Sequence, residues 1–401
     1  MLEDKSKALK EIIKQLHSGT PPSDVKERFS KILETVTPQE IAKIEQQLVV
    51  EGVPREELQK LCDIHLAVFS EQLDKTTVQI QSWHPIKILM EEHKSILSLL
   101  ENYGRLFDIV KKAEKLTQVE DEISKLNSIA EDFNDSEKHY LREENVIFPL
   151  LEKHGITEPP AIMWMEHDKI RNAKKEFQEL VKKIKEQDFQ IFKEKIDKNF
   201  EAMNTIIPNH FYKENNILFP TALQLITKEE WEEALTVFNE IGYCRFTPLP
   251  TVAPEIREEK IKEVSLDKIK FETGSLTIEE VEAILNSLPI DITFVDTEDK
   301  VKFFNKSERR IFIRTKAVIG RKVQQCHPQK SVHIVNKILD SFKDGKRDVA
   351  EFWIEMGGRL IYIRYFPVRG KVGKYLGTIE VTQDVTEIKK LVGERRLLNW
   401  E

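Results

Sequence analysis

Apolar positions recur at helical spacing as far as about residue 240 and alternate beyond about residue 290, which predicts a multidomain, mainly α chain ending in an α+β domain. Near the start, Leu9, Ile12, Ile13 and Leu16 share one face that stops at Gly19. Thr37-Pro38-Gln39-Glu40 has the form of a capping box with proline at the first helical position, and Pro54 opens a helix carrying Leu58, Leu61, Cys62, His65 and Phe69. Four longer helices are predicted at about 84–115, 118–153, 159–187 and 191–224. Gly155 and Glu158-Pro159-Pro160 separate them into two pairs, and Asp188 marks the last short connection. Pro149 and Pro220 should each bend or end its helix, because proline lacks a backbone donor and clashes with the preceding turn. Thr227-Lys228-Glu229-Glu230 caps one more helix, which carries Trp231, Leu235 and Phe238 and stops near Gly242.

From Cys244 to about Thr273 the pattern lapses. Thr247-Pro248-Leu249-Pro250, Ala253-Pro254 and a run of alternating Lys and Glu read as an extended linker. Beyond it, residues 292–296 and 301–305 read as strands joined by a turn at Glu298-Asp299. A helix is predicted at 330–343. Runs at 350–356, 359–368 and 374–383 read as three more strands, with turns at Gly357-Gly358 and Arg369-Gly370. The expected divisions are a helical N-terminal domain at 1–75, a helical bundle at 80–242, a linker at 243–274, an α+β domain at 275–391 and a tail at 392–401.

Charge and composition narrow the function classes. A net charge of −7 argues against a nucleic-acid protein that binds by neutralising phosphates. No apolar run approaches the roughly 18 residues of a membrane span, and Met1-Leu2-Glu3-Asp4-Lys5 has neither a basic leader nor an apolar core. Cys62, Cys244 and Cys326 are far apart and form no Cys-x-x-Cys pair. They are read as thiols in a reducing cytoplasm, without a disulfide frame. Cys62 and His65 have a Cys-x-x-His spacing that could ligate a metal or haem, although a lone Cys and His on an apolar face are usually core packing.

The bundle segment states one chemical pattern twice. Glu92-His93-Lys94 is followed, 46 residues after His93, by His139-Tyr140-Leu141-Arg142-Glu143-Glu144-Asn145-Val146-Ile147-Phe148-Pro149. Glu166-His167-Asp168-Lys169 is followed, 43 residues after His167, by His210-Phe211-Tyr212-Lys213-Glu214-Asn215-Asn216-Ile217-Leu218-Phe219-Pro220. Single core histidines are commonplace, but a six-residue set repeated in register calls for a structural cause. Helical spacing places His139 with Glu143, and His210 with Glu214, roughly 40° apart around their axes and about one turn apart. With His93 and His167 from the other two helices, four imidazoles and two carboxylates can face one another in a bundle core. An oxygen and nitrogen set with two carboxylates able to bridge favours two iron ions, with manganese second, over a closed tetrahedral zinc. His84 falls about 180° from His93 on the same helix, and His154 lies near a helix end before Gly155, so both are left outside the site.

These six positions resemble the hemerythrin-like HHE cation-binding family. The resemblance implies a four-helix bundle in which His93, His139, His167 and His210 are terminal ligands and Glu143 and Glu214 bridge two non-haem irons that also share an oxo or hydroxo group. One departure stands out. Oxygen carriers of that family have a second histidine one turn after the third-helix ligand, and Arg171 occupies that position here. The shorter set resembles the hemerythrin-like iron-sulfur cluster repair proteins and leaves a position open at each iron. Arg171 itself could draw an anion or peroxide toward the site.

Residues before the bundle resemble the small domain of unknown function that precedes hemerythrin-like and sensor modules in some bacterial and archaeal proteins. The C-terminal strands, with Leu288-Pro289 before them and Asp384-Val385-Thr386 after them, resemble a PAS domain. That likeness implies a signalling or dimerisation role, with an unidentified partner or a second copy of the chain. Haem-binding members donate an axial ligand from the region of Cys326-His327-Pro328 and His333, so His333 and then Cys326 are the candidates for haem. The expected function is a cytoplasmic di-iron protein that senses or reacts with dioxygen, nitric oxide or peroxide, more readily a sensor than an enzyme. The alternatives are a di-iron oxidoreductase that reduces nitric oxide or peroxide or serves iron-sulfur cluster repair, and an iron store or buffer.

Overall fold

A computed structural model describes residues 11, 47–49, 51–54, 80–248 and 268–394, in two units, Met1–Ile256 and Arg257–Glu401. The expected helices before residue 80, Cys62 and His65, the linker residues 249–267 and the tail from 395 lie outside the described residues.

In the first unit, helix α1 (Pro85–Lys112) starts where the His84 ring nitrogen Nδ1 accepts the Ile86 N–H, with Pro85 in the first turn. Helix α2 (Glu120–Asp135) opens on three acidic residues that suit the positive end of its dipole. The predicted helix 118–153 is divided after α2 at buried Ser136, whose hydroxyl donates to the Phe133 carbonyl at 2.6 Å. It resumes as α3 (Glu137–Arg142), a π turn (Glu143–Ile147) and α4 (Phe148–Lys153). The second pair is α5 (Glu158–Lys182) and α6 (Phe189–Lys213), then a π turn (Glu214–Leu218) and α7 (Phe219–Leu225). Asp188 caps α6 by accepting two backbone N–H groups. Helix α8 (Lys228–Ile241) has the predicted capping box between Thr227 and Glu230.

Pro149 and Pro220, expected to bend or end their helices, each lie in the first turn after a π turn that interrupts the regular helix. There the N–H groups of Phe148 and Phe219 reach back five residues, to the carbonyls of Glu143 and Glu214. A widened turn before the proline relieves both its missing donor and the clash of its ring with the preceding carbonyls. The two π turns sit at the same place in the repeat and begin on its two glutamates.

Two apolar clusters fill the bundle. One includes Ile86, Leu89, Ile147, Phe148, Leu151, Phe219, Trp231 and Phe238, with Leu48 packed into it. The other includes Ile96, Leu100, Tyr103, Phe133, Tyr140, Ile170, Phe177, Phe192 and Phe211. Each such side chain contributes about 1.5–3 kcal/mol by leaving water. The four repeat histidines lie where the clusters meet: His93 stacks on Phe211 and Phe219, and His167 lies against Tyr140 and Phe148.

The second unit has a five-stranded antiparallel sheet of order β4-β3-β7-β6-β5, made of β3 (Asp291–Asp296), β4 (Val301–Phe304), β5 (Ala350–Met356), β6 (Arg359–Arg369) and β7 (Tyr375–Asp384). Helix α10 (Gln329–Lys343) stands between β4 and β5, as predicted. Gly357 and Gly358, both at positive φ, make the two-residue turn that joins β5 to β6. Two elements were not foreseen. A hairpin of β1 (Lys268–Phe271) and β2 (Gly274–Thr277) takes in residues assigned to the linker, and α9 (Ile278–Ser287) follows on a Thr277–Glu280 capping box. Both are largely exposed, so their short apolar patterns carry little periodic signal. Fully buried Asn305 fixes the loop between α9 and β3, accepting the Ile292 N–H and donating to the carbonyls of Leu285 and Ile290. Among the described residues, no helix is long and apolar enough to cross a membrane.

Candidate metal centre

The structure brings the six repeat residues together, each at most 2% exposed. They form two sets, His93-His139-Glu143-Glu214 and Glu143-His167-His210-Glu214. Within each set, one ligand atom per residue lies within 4.8 Å of the others. Both glutamates belong to both sets, which is the placement of carboxylates shared between two cations. His93 Nε2 is 3.1 Å from Glu214 Oε2, and His210 Nε2 is 2.9 Å from Glu214 Oε1. His139 Nε2 and His167 Nε2 are 3.5 and 3.3 Å from the two oxygens of Glu143. Yet none of the four Nε2 atoms and none of the four carboxylate oxygens makes a hydrogen bond, although all are buried. Eight orphaned donor atoms converging in pairs of sets fit two cations, and a hard or borderline metal suits an all-nitrogen and oxygen set.

The opposite side of every imidazole is held. His139 Nδ1 lies 2.8 Å from Glu92, His167 Nδ1 2.8 Å from Glu144, His210 Nδ1 2.8 Å from Glu166 and His93 Nδ1 3.1 Å from Asn215. Each holder is the chain neighbour of a different member of the six: Glu92 precedes His93, Glu144 follows Glu143, Glu166 precedes His167 and Asn215 follows Glu214. The result is a closed ring of helix-to-helix contacts that leaves each Nε2 free to face the centre. Cations balance the three carboxylate holders. Arg142 donates to both oxygens of Glu92 at 2.5 and 2.6 Å, Lys213 to Glu166 at 2.7 Å, and Arg171 to both oxygens of Glu144 at 2.8 and 3.0 Å. Arg142 is also flanked by the rings of Phe238 and Tyr243, and Glu92 accepts a further bond from Thr247 Oγ1 at 2.5 Å.

Burial alone would raise Glu92 and Glu166, but the imidazole and cation beside each hold both down to about 2. The two central glutamates differ. Burial, with the Glu214 charge added, pushes Glu143 up to about 8. Against burial, the imidazoles of His210, His167 and His93 hold Glu214 well below the usual carboxylate range. Two buried carboxylates facing each other do not both ionise without positive charge between them.

Arg171 corrects the sequence reading. Its guanidinium is committed to Glu144 and, at 2.7 Å, to Glu137, so it serves the holder of His167 and does not point an open charge at the centre. His84 caps α1 and packs on Trp231, and His154 pairs with Glu230 at 2.7 Å. In the second unit, His333 stands exposed on α10. Cys326 is buried among Val295, Val301, Val318, Val323 and Leu339, its Sγ 3.7 Å from the Lys322 carbonyl.

Glu92, Glu144, Glu166 and Asn215 went unassigned in the sequence, although a signal for them was present: a polar residue adjoins a metal-type residue at all four matching positions of the repeat. Arg142 and Lys213, each three residues after its histidine, carry the same signal. Thr247 carried none, since it falls in the expected linker.

Residues 84–222 match the family model of the hemerythrin HHE cation binding domain, residues 9–75 a family of unknown function (DUF438), and residues 281–386 a PAS domain family. The chain therefore carries these three regions in the expected order. No curated protein matches it. Among solved structures, a C-terminal domain from Streptococcus mutans is 33% identical, covering 31% of this chain and 98% of its own, with a TM-score of 0.30. The PAS domain of a Colwellia psychrerythraea protein is 15% identical, covering 27% and 98%, with a TM-score of 0.23. A sensory box sensor histidine kinase from Vibrio cholerae is 15% identical, covering 26% and 89%, with a TM-score of 0.21.

Proposed function

We propose that the first unit holds two non-haem iron ions, one in each four-residue set, and that the protein responds to a small molecule such as dioxygen, nitric oxide or peroxide. The PAS unit then passes that response to a second copy of the chain or to a partner. The observation that carries this reading is the sharing of Glu143 and Glu214 by both sets while all eight facing donor atoms lack hydrogen bonds. Iron held there supplies one-electron redox change and affinity for small ligands. The chain's own groups orient the four imidazoles through their Nδ1 atoms, place two carboxylates between the sets and keep bulk water out with Phe148, Phe211 and Phe219.

Metal analysis and optical spectra of the full chain, purified with and without air, test the reading. Two irons per chain are expected, with near-ultraviolet charge-transfer absorption after oxidation. Glu143→Ala and Glu214→Ala should each hold well below two irons, and full loading of both variants would overturn the assignment. Because Arg171 leaves no fifth imidazole, mixing the reduced protein with air should oxidise it without a coloured adduct that reverses under vacuum. Sustained consumption of nitric oxide or peroxide with an electron donor would make the protein an enzyme instead.

A further inference from the structure

The two halves of the repeat differ where one aromatic ring meets the centre. The residue after His210 is Phe211, whose ring lies 3.9 Å from that of His93. The residue after His139 is Tyr140, whose ring lies 4.7 Å from His167, 5.1 Å from His139 and 6.3 Å from His210. Both rings are at most 1% exposed. Phenylalanine fills its place with no polar group to satisfy, so packing alone does not explain a tyrosine in the other half. The Tyr140 hydroxyl is buried and has no hydrogen-bond partner among the described residues. A buried donor left unpaired costs about 1–3 kcal/mol, and native interiors rarely carry one without a reason. The ring itself lies against three of the four imidazoles, which seats this unpartnered hydroxyl in the layer of the centre.

We propose that the Tyr140 hydroxyl is the hydrogen-bond donor to a small molecule or anion admitted to the His167–His210 half of the metal centre. Phe211 offers no such donor beside His93, so the two halves are chemically unequal and ligand capture is directed to one of them. The inference rests on the metal reading above and deepens it by naming the residue that receives the ligand.

The test uses the iron-loaded, oxidised full chain with azide as the probe, comparing the natural protein with Tyr140→Phe. Iron content is measured first: a natural chain that takes up no iron defeats the metal reading itself, independently of Tyr140. Given loading, Tyr140→Phe should hold as much iron as the natural chain and bind azide about tenfold more weakly, the loss of one hydrogen bond to a charged ligand. Its metal-free form should melt at the same temperature or higher, because an unpaired buried hydroxyl has been removed. Unchanged azide affinity would overturn the proposal, as would a lower melting temperature with normal azide binding, which marks a purely structural hydroxyl. Loss of iron from the variant would also overturn it, since the hydroxyl would then belong to the holding of the metal.

Discussion

Glu166 shows how one residue's neighbours fix its role. It is buried, accepts from Lys213 at 2.7 Å and lies 2.8 Å from His210 Nδ1, so it sets both the orientation and the basicity of that imidazole. Glu166→Gln keeps the shape and removes the charge. Metal titration should then show affinity lowered by about 10–100-fold, with the metal-free fold weakened as well because Lys213 loses its carboxylate. His84 supplies the pH dependence. Burial lowers it from 6.5 to about 4, and its neutral Nδ1 accepts the Ile86 N–H. Between those two values the unfolded chain binds the proton more readily than the folded one. Its contribution to stability is therefore complete above about 6.5 and lost as pH falls toward 4. Thermal melts at pH 7 and pH 5 should show that loss, and His84→Asn, which keeps a capping oxygen, should reduce it.

At the scale of elements, α8 closes the bundle over the centre's outer sphere by placing Phe238 against Arg142. Thr227→Ala removes its cap and should cost about 1 kcal/mol in chemical denaturation. The sheet has a tighter constraint. Gly377 in β7 pairs with Asp296 and sits at φ 151°, and a Cβ there would overlap the Val295 carbonyl oxygen and the Phe294 ring. Gly377→Ala should thus lower the urea midpoint of the second unit, by about 1–3 kcal/mol of overpacking, and leave that of the helical unit unchanged. Most helices and the five strands of the sheet were legible from period alone. The π turns were not, because nearly every residue around the first is buried, which leaves no one-sided stripe in which an extra residue would show, and the turns are defined only by their backbone hydrogen bonds.

At the scale of the whole molecule, two units with separate cores imply that the second can fold by itself. The fragment should begin at Lys268 and not at the expected boundary of 275, since β1 supplies the partner of β2. Its edge strand β5 exposes Phe352, Ile354 and above all Trp353, at 68%. PAS domains commonly mediate dimerisation, and an exposed apolar edge is suited to a second copy. Residues 268–394 should run as a dimer in light scattering coupled to size exclusion, and Trp353→Glu should run as a monomer. A monomeric natural fragment would remove the second copy as the route from the first unit.

The sequence by itself determined the six central residues, the order of the regions and the strands, because each rests on local geometry: His-x-x-x-Glu shares a helix face wherever it occurs, and alternation marks a half-buried strand. Only the tertiary structure decided which group holds which imidazole. Those contacts join residues 23 to 122 positions apart, and the offset between packed helices that brings them into reach is not written in either helix alone. The same reason accounts for Arg171, which local spacing aimed at the centre and packing gave to Glu144, and for Thr247, which the chain pattern assigned to a linker and the fold seats on Glu92.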